Sequence, residues 1–426
     1  MSSTARVLLG LAAGLVAGFL TTALGDGTAE RIAGFVAPVG TLWLNALRMT
    51  VVPLVVSLVI VGIAEASSAA SAGRMTGLAL LLFIVLLTAT GVATALLGPG
   101  FYSLLPGDPA ARAALVAAEG SAPLQSVPSL ADQLANLLPS NAIAAAAEGA
   151  MVPLVLFALI FGFAVARIPT AYRVQVVELL RGIASTMLVI VGWVLKVAPI
   201  GVFALILPVA ARSGAGLIGA AGWFVFGQSF IQSTVLLAMY PIAVGLGGVS
   251  LRTFAKAAAP AQGVAFSIQS SLASLPVMLE VATERLGIPA RIAGVVLPLA
   301  VSLFRVTSPA NTVGAGCFVA WLYGIDLAPM QLAGGTLVAI VVSLGAISLP
   351  GQVSFAGTHI PVLLAMGLPL EPVALLLALD PIPDAFRTAG NVTGDLAVTS
   401  VVAHRHAEAP VHAAELDGHA SSETAT

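Results

Sequence analysis

An all-α polytopic membrane protein is the fold class this sequence predicts, on three observations. The 426 residues are 59% hydrophobic and only 8% charged, with a mean hydropathy of +1.05, values that belong to chains dissolved in lipid rather than water. Apolar stretches long enough to cross a bilayer as helices recur along the whole chain. In the second half such stretches are interrupted near their middles by Ser, Gln, Pro, Asp and Arg, the pattern of helices broken at membrane depth. The lipid bilayer is therefore the main partner. A formal net charge of −2 argues against nucleic acid. One cysteine, Cys317, excludes an internal disulfide and reads as a small packing residue.

Arg6 precedes the first apolar stretch, Val7–Leu24. The many later spans favour an uncleaved helix over a signal peptide. A second span runs from about Gly40 to Ile63 and carries Arg48, expected to snorkel or to meet a partner helix. A third, Leu78–Leu97, has no charge; residues 98–139, rich in Pro, Gly and Ser, read as a long external loop. Further spans fit Met151–Ala166, Ile183–Ala210 and part of Leu217–Leu246, with Lys196 beside a kink at Pro199. With the N-terminus in the cytoplasm, Arg74, Arg167, Arg173, Arg181, Arg252 and Lys256 fall inside, against Arg31, Arg112 and Arg212 outside. The C-terminus is then cytoplasmic as well. It holds four of the five histidines and reads as a solvated tail rather than a metal site.

The second half changes character. Between Lys256 and Glu280 an uncharged segment has its most polar residues at its centre, Ser267-Ile-Gln269-Ser270-Ser271 through Ser274-Leu-Pro276. A re-entrant hairpin explains this, because its tip faces a cavity rather than lipid. Between Asp326 and Glu371 a second uncharged segment centres on Ser348-Leu-Pro350-Gly351-Gln352. It reads as a second hairpin, with a pair of full spans as the rival. Each segment is followed by an interrupted polar span, Phe304–Pro309 and then Asp380–Asp395, as in inverted repeats whose broken helices meet at the midplane.

The most informative stretch is Asp380-Pro-Ile-Pro-Asp384-Ala-Phe-Arg387-Thr388-Ala-Gly-Asn391-Val-Thr-Gly-Asp395. Positions 384, 387, 391 and 395 share one helical face. Ionisable groups at membrane depth usually line a substrate or ion path. A guanidinium suits a carboxylate and an aspartate suits an ammonium, so the face fits an acidic, zwitterionic ligand. A salt-bridge ladder that only joins helices is the plainer alternative. The prolines at 381 and 383 place the helix start near Pro383, so Asp380 need not lie on the face of Asp384.

That stretch resembles the eighth-helix signature of the glutamate/aspartate transporters, the dicarboxylate/amino-acid:cation symporters. Leu47-Arg-Met, Ala198-Pro-Ile-Gly-Val-Phe-Ala204, Ser270-Ser271 with Leu275-Pro276, and Tyr323-Gly-Ile-Asp326 support it, so the similarity runs from about residue 5 to 403. The resemblance implies eight membrane helices with two re-entrant hairpins, a homotrimer in the inner membrane, and an elevator mechanism. It divides the chain into scaffold helices 1–2 (1–76), helix 3 of the moving part (77–98), the external loop with scaffold helices 4–5 (99–212), helix 6 of the moving part (213–251), the transport core (252–402) and the tail (403–426). It implies no enzyme activity and no cofactor; the substrate is aspartate, glutamate or a dicarboxylate. By match, Arg387 holds the side-chain carboxylate and Asp384 the ammonium, Thr388 and Asn391 add hydrogen bonds, Ser270 and Ser271 take the other carboxylate, and the second hairpin around Pro350–Ser354, with Pro350 and Gly351 among its substrate contacts, is the gate. A substrate-gated anion channel and a non-transporting sensor are the rival readings.

The sequence also departs from the family. Its sodium-coupled relatives carry Asn-Met-Asp-Gly-Thr on the seventh helix, where this chain has Phe304-Arg305-Val306-Thr307-Ser308. A Thr-Ser pair on the third helix becomes Leu86-Leu87. Sodium needs oxygen donors, and Phe, Val and Leu side chains supply none. Asp395 and Asn391 remain as a residual sodium site. Arg305 is new, and an unpaired arginine at mid-membrane costs about 2.5–3.5 kcal/mol, so a partner is expected: Asp395, Asp380 or the substrate. A fixed guanidinium would then do the electrostatic work of a bound cation, leaving Na+ or H+ open as the coupling ion. The alternative is a structural Arg305 with sodium still bound.

Overall fold

A computed structural model describes residues 3–22, 26–70, 73–106, 138–213, 216–345 and 351–407, and within them every regular element is helical. Helix α1 is Ser3–Thr22 and α2 Asp26–Ala70. The 45 residues of α2 extend about 68 Å, roughly twice the hydrocarbon thickness. Arg48 on α2 meets Glu371 at 3.5 Å, both half-exposed, which answers the expectation of a partner.

Helix α3, Arg74–Ser103, outruns the expected span, so residues 98–103 are its last turns rather than loop. Pro99 does not end it, because the next turn buries Tyr102 completely against Phe101 and Phe318, with ring centroids at 5.2 and 5.7 Å. Most of the predicted external loop lies outside the described residues. Helices α4 (Ala142–Glu148) and α5 (Met151–Val165) follow. The single span expected over 183–210 is instead two helices, α6 (Thr170–Lys196) and α7 (Ala198–Ser213), parted at Val197. Pro199 lacks the amide that would carry the helix through. The Trp43 indole takes up the Val194 carbonyl at 3.0 Å, satisfying one of the groups that every helix end leaves open.

Helix α8 is Gly216–Gly245. The first hairpin is α9 (Leu251–Ile268) and α10 (Ser271–Glu280), the latter prolonged by a π-helical turn, Val281–Arg285. Ser250 caps α9 and Ser270 caps α10, each side chain accepting a backbone N–H at its own helix start. Between them Gln269 sits in the left-handed region at φ 56°, which turns the chain sharply. The interrupted span is α11 (Ala290–Leu303) and α12 (Ser308–Tyr323). The second hairpin is α13 (Pro329–Gly345) and α14 (Gly351–Ala365). At about 26 and 23 Å, each is short of a crossing, which favours a hairpin over two spans. Its tip, including Pro350, lies outside the described residues, and the chain is picked up again at Gly351.

The chain ends in α15 (Val373–Leu379) and α16 (Pro381–Ala407). Helix α16 is the centre of the molecule, packed by α3, α8, α9, α10 and α11. From Ala385 to Val402 it is buried except for the partly covered Phe386, although it carries Arg387, Thr388, Asn391, Thr393 and Asp395. Such a helix persists in an apolar core only when its polar groups are matched to one another or to a ligand.

Candidate functional site

Asp380 stands between α15 and α16 with helical dihedrals, φ −52° and ψ −33°. The Asp384 amide donates to the Asp380 carbonyl at 2.9 Å, so the helix runs on through the prolines. Pro381 and Pro383 occupy the first turn, where amide hydrogens have no helical partner in any case. The start near Pro383 is thereby corrected to Pro381, and Asp380 does share the face. Arg387 donates from Nη1 to Asp380 Oδ1 and from Nη2 to Asp380 Oδ2, both at 3.2 Å, and Nη2 also pairs with Asp384 Oδ1. All three residues are at least 95% buried. Thr388 donates to the Asp384 carbonyl at 2.8 Å.

The break in the seventh span meets this face. Phe304 leaves the helix in an extended conformation. Asn391 Oδ1 accepts from the Thr307 amide at 3.1 Å and from the Thr307 hydroxyl at 2.8 Å. The Thr90 hydroxyl, from α3, takes the Val306 carbonyl at 2.9 Å. Two glycines of α16 permit the approach. A Cβ at Gly390 would lie 2.6 Å from Thr307 Cγ2, and one at Gly394 would lie 2.8 Å from Val306 Cγ1.

The two hairpins close on the same place. Gln269, at the first tip, donates to the Pro381 carbonyl at 2.6 Å, anchoring that tip to the start of α16. The Ser270 hydroxyl accepts the Ala273 amide at 3.2 Å, and Ser271 is partly exposed beside it. From the second hairpin, Ser354 accepts a hydrogen bond from Arg305 Nη1 at 2.9 Å. Arg305 is within electrostatic range of Asp380, Asp384 and Arg387, yet among the described residues it forms no ion pair. This corrects the expected pairing with Asp395 or Asp380: Arg387 already holds Asp380. Asp395 is fully buried, and among the described residues neither of its oxygens has a hydrogen-bond partner.

Residues 4–405 match the model of the sodium:dicarboxylate symporter family. The chain belongs to that family. It is 29% identical over 402 residues to the proton/glutamate-aspartate symporter of Escherichia coli K12, covering 93% of this chain and 91% of that one. It is 27% identical over 390 residues to the proton/sodium-glutamate symport protein of Bacillus caldotenax, covering 90% of each. An L-cystine uptake protein, TcyP, of Bacillus thuringiensis subsp. konkukian is 27% identical over 417 residues, with 93% and 88% covered. This chain is thus a multi-pass membrane symporter and not an enzyme.

Within this symporter the ground beside Asp395 is apolar. The Phe304 ring stacks on Phe83 of α3, with centroids 4.6 Å apart and planes within 11°. Phe83, Leu87, Phe304 and Val306 are all buried, and Phe304 and Val306 both crowd Gly394. The side chains at 304, 306 and 87 present carbon there. The sequence placed Ser354 only at the end of the gate stretch and gave Thr307 no site role. Serine and threonine draw little notice in an apolar run, and only their distance to Arg305 and Asn391 gives them a role.

Proposed function

We propose that this symporter carries aspartate and glutamate across the inner membrane by an elevator movement, as a homotrimer, and does so without stoichiometric sodium. The observation that carries the proposal is the buried Arg387 with Asp380 and Asp384 upon it, while a second guanidinium, Arg305, is held among the described residues by a serine hydroxyl and no carboxylate. Arg387 takes the distal carboxylate of the substrate, and Asp384 then turns to its ammonium. Thr388 and Asn391 add hydrogen bonds, and Ser270 and Ser271 with their backbone amides receive the α-carboxylate. Helix α3, α8, both hairpins and α11 to α16 move; α1, α2 and α4 to α7 stay. The second hairpin, from Pro350 and Gly351, is the gate, and both chain termini are cytoplasmic.

Arg305 supplies the positive charge that a bound cation supplies in sodium-coupled relatives. Phe83, Phe304 and Val306 fill the ground where their side-chain ligands would stand. Relatives named for proton and for proton/sodium coupling are compatible with a family in which the driving ion varies. The second guanidinium also favours a second reading, a C4-dicarboxylate as passenger; excess succinate competing as well as aspartate would support it.

Uptake of labelled aspartate into proteoliposomes, with choline in place of sodium, tests the proposal. Uptake unchanged within about two-fold is expected. Uptake that falls to background without sodium, and rises with it in fixed stoichiometry, contradicts it.

A further inference from the structure

We propose that His359 is the proton-binding group of this symporter, joined to α8 by a chain of buried amides, Asn311, Gln232 and Gln228. The inference rests on the transport reading above and names the ion that reading leaves open.

His359 lies on α14 and is 1% exposed. Its Nδ1 is 3.1 Å from the Phe355 carbonyl and its Nε2 is 3.1 Å from Asn311 Nδ2. A carbonyl only accepts, so Nδ1 carries the hydrogen and Nε2 receives the Asn311 amide. The neutral ring is satisfied on both sides. Asn311 Oδ1 in turn accepts from Gln232 Nε2 at 3.0 Å. There the satisfaction stops. Among the described residues, Gln232 Oε1 and both amide atoms of Gln228 have no hydrogen-bond partner, and both residues are completely buried. The Gln228 amide lies against Gly314, where a Cβ would be 3.3 Å from Nε2, so the glycine leaves it room.

A buried polar group left unpaired costs about 1–3 kcal/mol. Such idle atoms in one chain point to a second arrangement that uses them. When Nε2 takes a proton it becomes a donor, and a half-turn of the Asn311 amide presents Oδ1 to it. Asn311 Nδ2 then donates to Gln232 Oε1. A half-turn of Gln232 directs its Nε2 toward Gln228, one helical turn away. An N–H bond forms at Nε2 as an O–H bond of hydronium from the aqueous side breaks, leaving a water molecule.

The charges that act on the ring are those of Arg387 and Arg305. Of the helices packed on α14, α5, α12 and α13 carry no Asp, Glu, Lys, Arg or His. Helix α15 is likewise uncharged; Arg48 and Glu65 of α2, and Glu178 and Arg181 of α6, lie in ion pairs, and Arg31 of α2 with Arg173 and Lys196 of α6 are the other charged side chains described on these helices. A substrate carboxylate offsets the two guanidiniums, so proton and acidic substrate favour each other's binding, and that coupling is reciprocal.

The test uses the full chain in sodium-free proteoliposomes with a lumenal pH dye, the potential clamped by potassium and valinomycin, and aspartate as the probe. External aspartate should acidify the lumen with wild-type protein. His359→Gln, whose amide oxygen still accepts from Asn311, should cut that acidification at least ten-fold and raise the aspartate concentration needed for half-maximal exchange, while exchange at saturating aspartate stays within about two-fold. Gln232→Leu touches neither ring nor substrate and should slow proton entry in the same way; it decides the matter if the histidine variant fails to fold. Wild-type acidification in either folded variant overturns the proposal. So does a wild type that exchanges aspartate without moving protons, which leaves the transport reading standing. A wild type that exchanges no aspartate defeats the transport reading instead.

Discussion

Replacing Arg387 with alanine is expected to lower aspartate uptake about 100-fold or more, the loss of one to two charge-assisted hydrogen bonds to a carboxylate. The structure adds a second consequence. Arg387 is bound to both Asp380 and Asp384 in a buried setting, and breaking a buried pair from one side costs about 3–5 kcal/mol because the other charge is stranded. The variant should therefore also unfold at lower temperature in detergent. Adding Asp380→Asn should recover part of that stability without recovering uptake, which separates the structural role of the guanidinium from its grip on substrate. Arg387→Lys keeps the charge but not the planar fork that meets Asp380 through two nitrogens, and should recover little transport. Full stability and full uptake in Arg387→Ala would remove the substrate assignment.

Arg305→Met is expected to weaken acidic-substrate binding about ten-fold or more, with the largest loss for the most highly charged substrates. Without Arg305, the group formed by Asp380, Asp384 and Arg387 has an excess negative charge facing an anionic passenger. Added sodium should not restore binding, because the side chains at 304, 306 and 87 supply no oxygen and Asp395 and Asn391 alone are too few donors. Ser354→Ala removes only the hydroxyl that holds Arg305 at 2.9 Å and should have the milder effect, of the size of one hydrogen bond to a charged group. Binding titrations at several sodium concentrations read all three. Sodium-dependent recovery in Arg305→Met would show that a cation site survives.

Much of this was legible in the residues because lipid makes polar side chains conspicuous. The face formed by Asp384, Arg387 and Asn391 stands out inside an apolar run. So do the hairpin tip at Gln269–Ser271 and the break at Phe304–Pro309. What the residues concealed lies mostly across the chain. Arg305 reaches Ser354, 49 residues away, and a neutral hydroxyl is not the partner that charge counting looks for. Asp380 looked detached because two prolines follow it, but a helix's first turn has no use for the missing amides. The break at Val197 and the extension of α3 to Ser103 were set by tertiary contacts, Trp43 on Val194 and Tyr102 against Phe318, which no local pattern displays. The glutamines of α8 could have been noticed, since Gln228 and Gln232 are one turn apart in a span that carries no charge.

A structure of the protein with aspartate bound bears most directly on the central claim that Arg387 grips the passenger. The distal carboxylate of the substrate should lie on the Arg387 guanidinium, with its ammonium at Asp384. Aspartate bound elsewhere, with Arg387 still seated on Asp380 and Asp384 as a brace between helix turns, would contradict the account.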